Sequence, residues 1–247
     1  MQLHLTLAKS SLAVPINYRP LVHGAIYRAL GADQQFSTIL HDNNAQSGTA
    51  RAYKGFTFSP LSGVYTRADT VLWFQNQASL EIRAWDEALI RLLHQSLLAR
   101  GALTLGAEEL ALTRCEITDT HVDAARAPIR MLSPVVAYIT EESGRTVFFQ
   151  PDEERFYASL IHNAERKCLR FLPGVPFDLR IRSLNPGLPR KQFSRFKKTY
   201  INAWFGQYLL EGAPQIIDLM YQIGLGAKNS QGFGMFALER ENPGGSV

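Results

Sequence analysis

Near its end the chain runs Gly224-Leu225-Gly226-Ala227-Lys228-Asn229-Ser230-Gln231-Gly232-Phe233-Gly234, which places four glycines and one lysine in eleven residues without an acid. Glycine adopts positive φ without strain, and successive N–H groups in such a loop can surround a phosphate. The spacing is not that of a mononucleotide P-loop. A dinucleotide motif would open a helix, whereas the apolar run 235–238 follows here. The stretch predicts a helix, a glycine-rich loop (residues 224–234) and a strand. Phosphate binding and a turn without a ligand both remain open.

The elements around this loop follow from hydrophobic periodicity. A helix over 207–223 precedes the loop, and a strand over 234–240 follows it. The earlier elements of the C-terminal half are strands at 130–139 and 145–149, a helix at 151–170, and strands at 175–184 and 190–203. Those of the N-terminal half are a strand at 2–8, helices at 18–30 and 33–42, strands at 53–59 and 70–76, a helix at 85–100 that Gly101 ends, and strands at 102–106 and 109–119.

Each half thus repeats the order strand, helix, strand, strand, helix, strand. This order predicts an α+β fold of two tandem ferredoxin-like (RRM-like, βαββαβ) domains. We expect an N-terminal domain over 1–122, a C-terminal domain over 128–240, and a disordered tail at 241–247.

Composition limits the function classes. The chain is 46% hydrophobic and 19% charged, and its net charge of +4 favours a polyanionic partner. No stretch is apolar for long enough to span a membrane, and the N-terminus does not resemble a signal peptide, so we expect a cytoplasmic protein. Cys115 and Cys168 fit a reduced compartment and two core thiols. Neither the cysteines nor the six histidines have metal-ligand spacing, and we expect neither metal nor cofactor.

A basic stretch lies between Leu179 and Leu210. It contains seven basic residues and no acid, together with Phe193, Phe196 and Tyr200. Basic side chains neutralise phosphates, and aromatic rings can stack on unpaired bases, so the stretch predicts nucleic-acid binding. The alternative is a solvated edge hairpin whose charges deter strand pairing.

Four segments carry a family resemblance. They are Lys228-Asn229-Ser230-Gln231-Gly232-Phe233-Gly234-Met235, Asn17-Tyr18 with Gly24-Ala25-Ile26-Tyr27, Lys54-Gly55-Phe56-Thr57-Phe58-Ser59, and Leu132-Ser133-Pro134-Val135. In these segments, and over nearly its whole length, the chain resembles the CRISPR repeat-processing endoribonucleases of the repeat-associated mysterious protein (RAMP) superfamily. The glycine-rich loop is the most specific of the matches.

The resemblance implies two ferredoxin-like domains and a metal-independent endoribonuclease that cuts precursor CRISPR RNA within each repeat. In that reaction a ribose 2′-hydroxyl attacks the adjacent phosphate and leaves 2′,3′-cyclic phosphate and 5′-hydroxyl ends. The tyrosine, histidine and lysine used by similar proteins fall on Tyr27, His41 and Lys54. We expect His41 to act as general base or acid, Tyr27 as its proton-transfer or positioning partner, and Lys54 as the stabiliser of phosphorane charge.

These assignments have competitors. His23 lies four residues before Tyr27, hence on the same helical flank, and is the main rival of His41. Arg51 and Tyr53 compete with Lys54. The remaining histidines have no supporting context and are expected to be structural; they are His4, His94, His121 and His162.

RNA is expected to be recognised mainly by its shape, with the basic segment 190–198 on the stem and the glycine-rich loop near the cut. The predicted contacts of the basic stretch are Arg180, Arg182, Arg190, Lys191, Arg195, Lys197 and Lys198. Those of the glycine-rich loop are Gly224, Gly226, Lys228, Asn229, Ser230, Gly232 and Gly234. The expected partner is CRISPR repeat RNA, both precursor and mature crRNA.

Two other functions stay open. One is a non-catalytic CRISPR RNA-binding subunit of a larger effector complex, which retention of Tyr27, His41 and Lys54 disfavours. The other is a ferredoxin-like enzyme acting on a small molecule or a phosphate ester, which the basic stretch and the lack of any metal or nucleotide motif disfavour. The sequence leaves undecided whether the protein works alone, as a homodimer, or with the subunits of an interference complex.

Overall fold

The structure is a computed structural model that describes residues 1–31, 53–185, 187, 189–196 and 199–239. The chain divides into two compact units. The first comprises Met1–Thr120 with Arg195–Thr199 and Ser230–Gly232, and the second comprises His121–Ser194, Tyr200–Asn229 and the residues from Phe233 on. The predicted features that lie outside the described residues are the helix at 33–42, His41, Arg51, Lys197, Lys198 and the tail 241–247.

The first unit is an antiparallel sheet with two helices. Its elements are β1 Gln2–Pro15, α1 Arg19–Leu30, β2 Phe56–Phe58, β3 Tyr65–Ala68, β4 Val71–Ala84, α2 Glu87–Arg100, β5 Ala102–Leu105 and β6 Glu108–Thr118. The sheet order is β2-β4-β1-β6-β5, and β3 also pairs with β4. The first four strands of this order form the ferredoxin-like sheet, in which the first strand lies between the third and the fourth.

Local sequence explains the helix boundaries of this unit. The Asp86 side chain caps α2 by accepting from Ala88 N at 2.9 Å, and Gly101 ends the helix in the left-handed conformation with φ 64°. The predicted stop at Gly101 is confirmed. Apolar residues of α1 and α2 and alternate residues of β1 form the core; they include Leu3, Leu5, Leu7, Val22, Ile26, Leu89, Leu93 and Leu97.

The second unit repeats the plan with two added hairpins. Its elements are β7 Arg126–Met131, β8 Tyr138–Thr140, β9 Thr146–Phe148, α3 Glu154–Phe171, β10 Leu179–Ser183, β11 Arg190–Phe196, β12 Thr199–Phe205, β13 Gln207–Gly212, α4 Pro214–Ile223 and β14 Phe236–Leu238, with a short 3₁₀ turn at Asn229–Gln231. The main sheet has the order β10-β13-β7-β14, while β8–β9 and β11–β12 are separate two-stranded sheets. Both units are therefore ferredoxin-like, and the predicted fold class is confirmed.

Three predicted elements of the second unit are wrong in detail. The predicted strand over 130–139 is two separate strands, because β7 ends at Met131 and β8 begins at Tyr138. The predicted helix over 207–223 begins only at Pro214, because Gln207–Gly212 is strand β13 and pairs with both β10 and β7. Tyr208, Leu209 and Leu210 are all buried there, and a short apolar run in a central strand looks the same as a helix segment. The predicted single strand over 190–203 is two strands, β11 and β12, which pair as a hairpin.

Among the described helices, none combines the length and apolarity needed to cross a membrane. In the described ranges no cluster of three or more His, Cys, Asp or Glu side chains is arranged to hold a metal ion. Both cysteines are free thiols: Cys168 is buried as predicted, whereas Cys115 is only partly buried and packs against the core of the first unit.

Candidate functional site

Tyr27 lies at the edge of the core of the first unit. The buried stripe of α1 consists of Val22, Ala25, Ile26 and Ala29, and Tyr27 flanks it half-buried. Its ring centroid is 6.1 Å from that of Phe56 at the start of β2. Burial raises the pKa of the Tyr27 phenol. The hydroxyl therefore stays protonated at neutral pH, which suits it to donate a hydrogen bond or a proton.

His23 is the histidine that the described residues bring to Tyr27. It lies one helical turn earlier, and the two ring centroids are 4.5 Å apart with planes tilted by 31°. Its side chain is partly exposed. His41 lies outside the described residues, so its assignment as the catalytic histidine stays a prediction.

Lys54 precedes β2 by two residues and is half-buried. The next residue, Gly55, has φ 66°, and its carbonyl oxygen accepts from Trp85 N at 3.0 Å. Phe56 then pairs with Ala84 of β4. The backbone beside Lys54 is thus fixed to β4, and the Phe56 ring that follows contacts Tyr27. Tyr53, the competing residue, is also half-buried.

In the second unit, the glycine-rich loop is organised around Lys167 of α3. The Lys167 Nζ donates to the carbonyl oxygen of Gly224 at 2.7 Å, to that of Gly226 at 2.8 Å, and to Asn229 Oδ1 at 2.8 Å. An ammonium group has three donors and no acceptor, so these three oxygens match it completely. The loop presents carbonyl oxygens, not N–H groups, to the side chain that it surrounds.

Asn229 closes the same loop from the other side. Its Nδ2 donates to the carbonyl oxygens of Leu225 at 3.1 Å and Phe233 at 3.0 Å, which joins the two ends of the loop. Gly234 has φ 78°, and a Cβ there would meet the Leu225 carbonyl oxygen at 2.0 Å. Close backbone approach therefore requires glycine at this position.

Several N–H groups of the loop are also used internally. Leu225 N donates to the Gly234 carbonyl at 2.8 Å, Ala227 N to Val136 at 2.9 Å, and Gly234 N to Pro134 at 3.0 Å. The predicted contacts Gly224, Gly226, Asn229, Gly232 and Gly234 are buried, whereas Lys228 and Ser230 are partly exposed. Lys228 has φ 61°, and its Nζ lies 5.0 Å from the centre of the Tyr138 ring. RNA binding by these residues stays a prediction.

Sequence reasoning missed Lys167. It is 1% exposed, and burial lowers the pKa of its ammonium group to about 7. The signal was present: Phe156, Leu160, Ala164 and Cys168 form the buried stripe of α3, and Lys167 lies on the same face. A lysine on an apolar stripe indicates a buried cation that needs oxygen acceptors, and the glycine-rich loop supplies them.

The basic stretch spans β10 to β12, and its described cations are exposed. On β10, Arg180 and Arg182 share the solvent face. Glu211 offsets part of that charge, because its carboxylate lies 3.8 Å from Arg182 Nε and 3.9 Å from Arg126 Nε. On β11, the Arg190 guanidinium carbon lies 4.5 Å from the centre of the Phe205 ring. The described part of the stretch is therefore a positively charged surface, and the Arg190 guanidinium on it packs against an aromatic ring.

His121, which was expected to be structural, is held by a carboxylate. Its Nδ1 is 2.8 Å from Asp218 Oδ2, and Asp218 Oδ1 accepts from Val122 N at 3.0 Å. Asp218 lies on α4 and is largely buried, whereas the His121 side chain is 57% exposed. The pair fastens the start of the second unit to α4.

The second half of the chain matches the profile of a known protein family. A family profile described as "CRISPR associated protein Cas6, C-terminal" matches residues 116–238. In these residues the chain is similar to the C-terminal part of Cas6 proteins. The part that matches the Cas6 profile contains Lys167 and the whole glycine-rich loop.

Similarity to other known proteins extends over nearly the whole chain. The CRISPR-associated endoribonuclease Cas6 1 of Methanocaldococcus jannaschii is 24% identical over 248 residues, which is 95% of this chain and 91% of that protein. A solved structure of a Cas6-related protein from Pyrococcus furiosus has a TM-score of 0.81 at 17% identity, covering 98% of this chain and 99% of that one. Another, described as "An RAMP protein binding different RNA substrates", has a TM-score of 0.82 at 19% identity, covering 97% and 100%.

Proposed function

We propose that this protein is an endoribonuclease that cleaves CRISPR repeat RNA and so releases guide RNAs. The match of residues 116–238 to the Cas6 family profile and the likeness to the Methanocaldococcus jannaschii endoribonuclease over 95% of the chain support the proposal. The structural observation that carries it is the half-buried Tyr27 beside Phe56 at the start of β2, the strand that Lys54 precedes. A phenol and a lysine are two of the groups that such a cleavage uses, and a histidine that transfers protons is the third.

The chemistry that we propose is metal-independent. The 2′-hydroxyl of the RNA attacks the adjacent phosphate, so the nucleophile comes from the substrate. The protein must align the 2′-oxygen with the leaving 5′-oxygen, move one proton off and one on, and stabilise the additional negative charge. The products are a 2′,3′-cyclic phosphate and a 5′-hydroxyl.

The proposed roles follow from the side-chain chemistry. A histidine, whose ordinary pKa is about 6.5, can both accept and donate a proton near neutral pH. The pKa of Tyr27 is raised by burial, so Tyr27 is a poor base and serves as a hydrogen-bond donor that positions the phosphate or the histidine. Lys54 is the compact cation placed to stabilise the phosphorane.

His41 is the proposed catalytic histidine, by the family resemblance, and His23 is its competitor by geometry. His23 contacts the Tyr27 ring, and a histidine stacked on a tyrosine can orient it without transferring a proton. The two assignments make different predictions. Loss of a proton-transfer group slows the chemical step at saturating RNA, whereas loss of a positioning group changes less and is rescued in part by a similar ring.

Cleavage of an end-labelled repeat RNA from the CRISPR array of the source genome tests the activity. The reaction is run in EDTA, beside a matched RNA with one 2′-deoxy sugar at the cut. We expect only the all-ribose RNA to be cut, because the deoxy sugar removes the nucleophile. If wild type binds both RNAs and cuts neither, the protein is a non-catalytic RNA-binding subunit and the roles of Tyr27, His41 and Lys54 are wrong.

Single-turnover rates of four variants then assign the residues. His41→Ala should slow cleavage by about a hundredfold or more, since general acid–base catalysis contributes that much. Tyr27→Phe and Lys54→Ala should also lower the rate at saturating RNA, while His23→Phe, which keeps a flat ring beside Tyr27, should change it only a few-fold. A hundredfold loss in His23→Phe with normal cleavage by His41→Ala would transfer the role to His23.

A further inference from the structure

A stacked aromatic pair lies on the solvent-facing side of the β11–β12 hairpin. The ring centroids of Phe193 and Tyr200 are 5.1 Å apart, and their planes differ by 23°. Both side chains are largely exposed, at 63% and 56%. In β12 the next residues on the opposite face, Ile201 and Ala203, are fully buried, so strand alternation directs Tyr200 to solvent. Two large rings that leave more than half of their surface in water contribute little to a core.

Lys191 places positive charge on the same face as this pair. It lies two residues before Phe193, hence on the same face of β11, and its Nζ is 5.6 Å from the centre of the Trp204 ring. Residues 190–205 contain five basic side chains and no acidic one. The charge and the rings together fit a polyanion that also carries flat apolar groups.

Single-stranded RNA has both of these features. A base inside a duplex has both faces covered by its neighbours, whereas an unpaired base offers a face to an aromatic side chain. A duplex would match the charge but would have no use for two exposed rings. We propose that the solvent-facing side of β11–β12 is a stacking platform for an unpaired nucleobase, with Phe193 and Tyr200 against the base and Lys191 beside an adjoining phosphate.

This inference rests on the proposed function only in that the ligand is RNA; it does not need the RNA to be cut. It replaces the expectation that the segment 190–198 grips the paired stem. The hairpin would instead recognise a nucleotide outside the duplex, and so measure where pairing ends.

The test is RNA binding by fluorescence anisotropy with two probes. One probe is a short oligouridylate, which stacks little on itself, and the other is the same strand paired with oligoadenylate. The double variant Phe193→Leu/Tyr200→Leu should bind the single strand roughly five- to a hundredfold more weakly than wild type, because stacking on aromatic side chains has that effect per base. Its affinity for the duplex should change by less than about twofold.

Two controls separate stacking from charge and from folding. Lys191→Ala should weaken binding of both probes and lower the salt dependence, because it removes a phosphate contact. Tyr65→Leu removes a ring that is 51% exposed and packs on Phe74 in the first unit, and it should bind both probes as wild type does. Thermal unfolding of the double variant should match wild type.

The proposal fails if the double variant loses affinity equally for both probes, or keeps full affinity for the single strand, or if wild type does not bind the single strand. If wild type prefers an acidic peptide such as oligoglutamate over both RNAs, the surface serves a protein partner and the proposal also fails. Cleavage of the repeat RNA is measured separately: an inactive protein whose platform still binds oligouridylate would refute the proposed function alone.

Discussion

The glycine-rich loop and the β11–β12 hairpin were both predicted to bind RNA, and the protein uses them in opposite ways. The loop turns inward: its glycines are buried, and two of its carbonyl oxygens accept from Lys167. The hairpin turns outward, with exposed cations and two exposed rings. Glycine-rich backbone serves a buried cation as well as an anion, and the direction of the peptide groups distinguishes the two. An anion needs N–H groups aimed at it, whereas here the C=O groups converge.

The two regions should therefore respond differently to substitution. Changes in the loop should act on stability, because the oxygens that accept from Lys167 belong to buried residues. Changes to the exposed cations and rings of the hairpin should act on binding, because these side chains are already hydrated in the free protein.

Replacing Lys167 should have the largest effect. Lys167→Met keeps the length of the side chain but leaves the oxygens of Gly224, Gly226 and Asn229 without their donor. Since each buried unsatisfied group costs about 1–3 kcal/mol, we expect the free energy of unfolding to fall by roughly 4 kcal/mol. Urea denaturation measures it. The matched control is Arg166→Met on the exposed side of α3, which should change stability by less than about 0.5 kcal/mol. If both variants change the free energy of unfolding equally, the hydrogen bonds of Lys167 do not stabilise the loop.

Closing the loop sterically should cost somewhat less. Gly234→Ala would place a Cβ 2.0 Å from the Leu225 carbonyl oxygen at φ 78°. Overpacking and left-handed strain together predict a loss of about 3 kcal/mol. Gly144 is the matched control: it has φ 80° with nothing within 4 Å of an added Cβ, so Gly144→Ala reports the backbone strain alone, about 1 kcal/mol. If Gly234→Ala and Gly144→Ala lower the free energy of unfolding equally, the close approach of the backbone at Gly234 does not limit stability.

The hairpin should show the reverse pattern. Lys191→Ala with Arg195→Ala removes two exposed cations of β11. We expect weaker binding of the repeat RNA and a slope of log affinity against log salt that is smaller by about 1.4, since each phosphate contact with a single strand contributes roughly 0.7. Stability should stay within about 0.5 kcal/mol of wild type. Arg91→Ala, an exposed arginine on α2, is the control and should leave the salt slope unchanged. If the double variant binds the repeat RNA with the affinity of wild type, the proposal that the hairpin binds RNA is wrong.

The sequence predicts features that depend on neighbouring residues better than features that depend on contacts between distant segments. The βαββαβ order, the helix over 18–30 and the stop at Gly101 depend on local patterns, and the structure confirms them. Strand β13 was missed because its buried run has no period that separates strand from helix. Lys167 was missed because its partners lie 57 to 62 residues further along the chain, so only the folded chain shows what its charge is for.

The smallest expected effect is on the pH dependence of stability, and it also separates the two regions. Burial lowers the pKa of Lys167 from 10.5 to about 7, while the three oxygen acceptors favour the ammonium form and oppose that shift. Between these two values the unfolded chain holds a proton that the folded one releases, so the free energy of unfolding should rise with pH, by less than about 1.4 kcal/mol per unit. Below the folded pKa the contribution to the slope vanishes.

Urea denaturation at pH 7, 8 and 9 measures this slope in three proteins. Wild type and Lys191→Ala should share it, because Lys191 is exposed on the hairpin, whereas Lys167→Met should lack it. The difference between wild type and Lys167→Met should therefore grow with pH. A constant difference over this range would mean that the carbonyl cage outweighs burial and keeps Lys167 charged. The glycine-rich loop would then hold a buried cation that stays charged over this pH range, whereas the cations of the hairpin are exposed to solvent.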